Sequence, residues 1–147
     1  MKRPKTKSLV VYGTIAAILL MFWISWAGGI VPQVWQVNAL LQDDPMLQEY
    51  PYKFRAVLLA SGVATMTRPY DMEVAPFDFL QVIEPDLAGK APNDPAMVAA
   101  LKRLRAHERR AARVAVSHTA ADGVEWVLDR AWYHKHGIKL PPKTLVY

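Results

Sequence analysis

The chain has 147 residues, 18 Lys and Arg against 13 Asp and Glu for a formal charge of +5, and no cysteine. Without Cys, disulfides, thiolate metal sites and cysteine nucleophiles are all excluded. Once an apolar N-terminal stretch is set aside, about 115 residues remain, enough for one modest hydrophobic core and not for two.

Lys2, Arg3, Lys5 and Lys7 form a basic leader over residues 1–7. Residues 32–147 then hold 14 bases and 13 acids, so the excess that would suggest nucleic-acid binding sits in the leader. The rest is polarised: residues 43–94 carry nine acids and four bases, residues 95–147 four acids and ten bases. That asymmetry favours pairing within the chain first. From Ser8 through Gln42 there is no charged residue. The apolar run Leu9 to Ile30 would be roughly 33 Å long as a helix, the length of a membrane span. The positive-inside rule then keeps the N-terminus cytoplasmic and places the following domain across a bacterial inner membrane, in the periplasm. A cleavable secretory signal, with Ser25-Trp26-Ala27 as a loose cleavage site, is the competing reading. The length of the run and the interfacial Trp23 and Trp26 favour an uncleaved anchor over 8–31.

Pro32 ends or bends that span. Gln33 to Gln42 places Val34, Val37 and Leu41 at helical spacing with Trp35 beside them, a helix that lies on a membrane, meets a partner or packs on its own domain. Asp44-Pro45 is an N-cap followed by proline at the first helical position, and Pro51 stops that short helix. Tyr52 to Thr67 is expected to be the central buried helix, with Ala60, Ser61, Gly62 and Ala64 allowing a second helix to approach. A strand over Ala56 to Leu59 is the alternative for so short an apolar run. Pro76 opens a helix to Ile83, with a strand as its other reading. Asp86 to Asp94 is a surface loop.

Asp94-Pro95 repeats the capping signal and starts the longest helix, to about Val116. Met97, Leu101, Leu104, Ala111, Ala112 and Ala115 share one side, and Lys102, Arg105, Arg109 and Arg113 form a stripe on the other. Glu108 interrupts the apolar side. A carboxylate there is costly unless paired. Either the core ends before this turn and Arg105 and Arg109 shield it, or it forms a buried ion pair with Lys53 or Arg55. Thr119 and Asp122 suggest a capping box for a last helix to His136, with Val124, Val127, Leu128 and Ala131 inward and Trp126 and Tyr133 on a second face. Gly137 and Ile138 form a C-terminal stop. Pro141-Pro142 excludes helix from the tail.

His134 and His136 flank Lys135, but i and i+2 point apart on a helix, which argues against a shared metal. Ser117-His118 are neighbours without a triad's spatial arrangement. No phosphate loop, nucleophile elbow or zinc motif is present. The reading is therefore a mainly α protein, in which a single transmembrane helix precedes a domain of about four helices over 32–147, with one short strand segment as the alternative and a loose C-terminal tail. It is expected to be a non-enzymatic accessory or assembly subunit of an inner-membrane complex, with no cofactor or small-molecule substrate. Its partners would be other subunits, met through the anchor and the aromatic faces of Trp35, Trp126 and Tyr133. The alternative is a component of a secretion or DNA-transfer machine whose stripe of Lys102, Arg105, Arg109 and Arg113 contacts anionic lipid, substrate or nucleic acid.

Overall fold

The computed structural model describes residues 6–27, 33–117 and 119–142, with side chains over 10–24 in the first segment. The chain divides into two units, Met1–Pro32 and Gln33–Tyr147. Of the sequence expectations, Lys2, Arg3 and Lys5 of the leader, Pro32, His118 and the tail 143–147 lie outside the described residues.

The first unit contains helix α1 (Thr6–Ala27). Its large apolar side chains, among them Leu19, Met21 and Trp23, are exposed. Among the described residues, no helix is long and apolar enough to cross a membrane. The single-pass anchor expected over 8–31 does not stand on these residues. The inner-membrane location and the periplasmic placement of the domain fall with it.

In the second unit, a mixed sheet replaces the expected central helix. Val63, Thr65 and Thr67 alternate with Ala64 and Met66, a period of two with β-branched residues on one face, and this is strand β2 (Val63–Arg68). Strand β1 (Ala56–Ala60) precedes it as an antiparallel partner, with Leu58 opposite Thr65 and Ala60 opposite Val63. Ser61 and Gly62, read above as small residues for helix packing, are instead a two-residue turn with φ of 51° and 76°. Two successive positive φ values give the turn whose twist matches a hairpin. A Cβ on Gly62 would also lie 2.7 Å from the Asp122 carboxylate.

The second correction concerns Thr119 to His136. Its first half is strand β3 (Gly123–Leu128), which pairs parallel to β2 with Ala64 opposite Val124 and Met66 opposite Trp126. The sheet order is β1-β2-β3. Only Arg130–Lys135 is helical (α6), capped by Asp129 through its side chain. Gly137, at φ 73°, closes it: Ile138 N–H bonds Tyr133 O and Gly137 N–H bonds His134 O. That is the double-bonded glycine stop expected from the sequence.

Helices α2 (Gln33–Asp43) and α3 (Pro45–Glu49) precede the sheet, and α4 (Pro76–Ile83), a 3₁₀ turn (Pro85–Leu87) and α5 (Pro95–Ser117) lie between β2 and β3. Asp44 caps α3 by accepting from Leu47 N–H, and Asp94 accepts from Ala96 N–H at the start of α5. Both Asp-Pro starts are local signals that need no tertiary contact to act. The core joins Val37 and Leu41 of α2, Met97, Leu104 and Ala111 of α5, Phe79 and Leu80 of α4, and the inward sheet residues Ala64 and Met66. The domain is thus α and β mixed, not mainly α with a single strand.

Edge strand β1 is held by one side chain. Asn38 of α2 donates its amide to Ala56 O at 2.9 Å and accepts from Ala56 N–H at 2.7 Å, doing what a fourth strand would do. Two such bonds at a buried backbone position contribute about 1–3 kcal/mol together. Asn38→Ala is expected to lower stability by about that amount in urea unfolding, with an unchanged slope.

Candidate functional site

The long helix α5 divides its charged residues by angle. With 3.6 residues per turn, Lys102, Arg105, Arg109 and Arg113 fall within a sector of about 80°, opposite the buried Met97, Leu104, Ala111 and Ala115. Arg103 and Arg110 lie to one flank of that sector. These two reach carboxylates of the acidic half: Arg103 to Glu84 at 2.9 Å and Arg110 to Asp44 at 2.7 Å. Among the described residues, no carboxylate lies within ion-pair distance of the four in the stripe.

Asp44 serves two elements. One oxygen caps α3, and the other accepts from both Nε and an Nη of Arg110, at 2.9 and 2.7 Å. The Arg110 hydrogen bonds hold its carboxyl below the usual value, against the opposing effect of burial and with help from Leu47 N–H. A depressed folded-state pKa contributes stability that is complete above the unfolded value, about 4, and is lost as the pH falls through it toward the folded value. Urea midpoints should therefore fall between about pH 6 and about pH 3 by less in Asp44→Asn than in the parent chain. An equal fall in both would show that this pair carries no acid sensitivity.

Glu108 has a partner, but not the one expected. Arg68, at the end of β2, lies 3.5 Å from it, and the Tyr70 hydroxyl donates to its other oxygen. The Arg68 guanidinium also sits 4.7 Å from the centre of the Tyr70 ring. Burial first, then Glu108, pushes the Tyr70 hydroxyl up to about 12. Lys53 instead donates to the carbonyls of Leu47, Gln48 and Tyr50 at the end of α3, and Arg55 pairs with Asp129 at 3.1 Å. The helix expected to bring Lys53 and Arg55 to Glu108 is an extended segment running into β1.

The three expected aromatic contact residues separate. Trp35 on α2 is 65% exposed. Trp126, on the inner face of β3, is half-buried with its ring 5.9 Å from Phe54. Tyr133 is 2% exposed and its hydroxyl donates to Pro69 O, so it belongs to the core. The shared helix face expected for Trp126 and Tyr133 does not form, because Trp126 is on β3 and Tyr133 on α6.

No protein family, curated protein or solved structure matches this chain. The function therefore rests on what the side chains themselves present. Among the described residues no group of three or more His, Asp or Glu is arranged to hold a metal. His136 stacks on Trp132 with ring centres 3.9 Å apart, and His107 stacks on Tyr50 at 4.2 Å. Ser117 donates its hydroxyl to Arg113 O.

The sheet's second face was not foreseen, because it exists only once the strands are aligned. Leu58, Thr65 and Glu125 form one row across it, with Val63 and Val127 on the same side. Leu58, Val63 and Val127 are 53%, 40% and 37% exposed. Val57, at the irregularity in β1, is also exposed. Asp129 was also missed as a site, although an Asp three residues before a helical Trp carries a capping signal. It accepts from Tyr52 Oη, Arg55 and Trp132 N–H while only 5% exposed.

Proposed function

We propose that this chain is a non-catalytic accessory or assembly subunit of a larger protein complex. The observation that carries the reading is the outer face of the sheet, where Leu58, Val63 and Val127 are exposed apolar side chains set around Thr65 and Glu125, with Val57 exposed at the irregularity of β1. Grouped exposed apolar residues rimmed by polar ones mark protein contact surfaces. Burying them transfers apolar area out of water at roughly 25 cal/mol per Å². Trp35, and the exposed apolar side chains of α1 in the other unit, offer further surface of the same kind.

The test is to extract the full chain from its native cell and size the assembly before and after replacing Leu58 and Val127 with Glu. Both side chains already face out, so the melting temperature should stay within a few degrees while the chain leaves the assembly. Recovery of the parent chain only as a monodisperse 16.6 kDa species would overturn the reading.

A second reading is a part of a secretion or DNA-transfer machine, in which α5 grips an acidic substrate. It is favoured by the stripe of Lys102, Arg105, Arg109 and Arg113, whose charges have no carboxylate within reach among the described residues. DNA binding would then weaken steeply as salt rises, and the Arg105→Gln, Arg109→Gln double variant would reduce the slope of log affinity against log salt by about 2. No binding at low salt would remove this reading.

A further inference from the structure

Two basic segments far apart in sequence meet around Asp129. Burial alternates from Tyr52 to Ala56: Tyr52, Phe54 and Ala56 face the core, and Lys53 and Arg55 face out. The end of α6 supplies Lys135 and His136. With Trp132 and Asp129 these residues line a cleft of about 410 Å³. It is the size of a small-molecule site.

The cleft's charge is unbalanced in a specific way. It holds three permanent cations and one carboxylate, and that carboxylate already accepts from Tyr52, Arg55 and Trp132 N–H. Lys53 has its three ammonium protons directed to the carbonyls of Leu47, Gln48 and Tyr50, so it contributes charge without a free donor. Arg55 is half-exposed and uses one Nη on Asp129, which leaves most of its five N–H groups for a ligand. Lys135 is exposed and has no partner among the described residues. His136 Nδ1 lies 2.8 Å from Trp132 O, an atom that only accepts, so Nδ1 carries the proton and Nε2 is left over. The stack on Trp132 fixes that ring.

We propose that this cleft binds the phosphate group of an anionic ligand. Arg55 and Lys135 donate to the phosphate oxygens, and Lys53 adds unneutralised charge. Asp129 is a positioning residue that fixes the Arg55 fork. A guanidinium suits a phosphate because its planar N–H groups match two oxygens at once. A neighbouring hollow of about 320 Å³ shares Lys53 and Arg55 as a wall and is lined by Leu41, Leu47 and Phe54. A ligand with its phosphate in the cleft thus has apolar space within reach.

The full chain is titrated with inorganic phosphate at low salt and followed by ¹H–¹⁵N NMR. Saturable shifts are expected at Lys135, His136 and the Arg55 side chain, with acetate weaker than phosphate. Lys135→Gln and Arg55→Gln should each weaken binding about tenfold, the loss of one charge-assisted hydrogen bond. Lys139→Gln, outside the cleft, should leave it unchanged, and a melting curve on Arg55→Gln confirms that the chain still folds. Phosphatidylcholine vesicles doped with phosphatidic acid identify the source. Vesicle binding displaced by free phosphate assigns a lipid headgroup, and phosphate binding without vesicle binding assigns a soluble phosphomonoester. The proposal is overturned if phosphate shifts the α5 stripe as strongly as the cleft, if acetate binds equally well, or if both Gln variants bind like the parent.

Discussion

Strand β3 lies parallel to β2, and a parallel pair cannot be closed by a tight turn. The chain must leave the end of β2 at Arg68, cross over, and return at Gly123 beside Val63. That crossover contains α4 and α5. Their apolar sides, Phe79 and Leu80 on one and Met97, Leu104 and Ala111 on the other, complete the core that Ala64 and Met66 enter from the sheet. The opposite face, with Leu58, Val63 and Val127, keeps its apolar side chains in water. The surface put forward for assembly and the core that stabilises the domain are thus two sides of one pairing.

The same geometry explains the charge pattern. The acidic first half and basic second half meet because α5 returns across α2, α3 and α4. Asp44 then finds Arg110 and Glu84 finds Arg103, while Glu73 meets Arg130 at the start of α6. Buried or nearly buried carboxylates are held by more than one donor: Asp44 by a helix N–H and a guanidinium, Asp129 by a tyrosine, an arginine and a helix N–H. A charge in such a position is tolerated only when its lone pairs are met. The stripe of Lys102, Arg105, Arg109 and Arg113 points away from these acids, and among the described residues its charges meet no carboxylate. Around Asp129 the local excess of cations is what makes a phosphate site chemically reasonable.

Local punctuation was legible in the residues. Asp44-Pro45 and Asp94-Pro95 start helices because a carboxylate can meet an amide two or three positions on, and a proline sacrifices no bond there. Gly137 stops α6 because only glycine takes a positive φ without strain. The α5 stripe followed from its period alone. Glu108 stood out as a carboxylate needing a partner, yet Arg68 and Tyr70 come from a strand end that no periodicity could place beside it.

The strands were misread for a physical reason. Ala56 to Thr67 lacks charges and is rich in small residues, so its period of two was masked by spacing that suits a close-packed helix as well. Its extended state is decided by Ser61 and Gly62 turning the chain, by Asn38 completing the edge at Ala56, and by β3 arriving on the far side. The apolar N-terminal run was likewise read by composition, and among the described residues no helix is both long and apolar enough to cross a membrane. By itself the sequence determined where α3 and α5 begin and where α6 ends, how the charges are divided, and which face of α5 is wet, because those depend on neighbours within a few residues. The tertiary structure alone decided the sheet, the partners of Glu108 and Asp129, the open apolar face and the basic cleft, since each joins residues that only folding brings together.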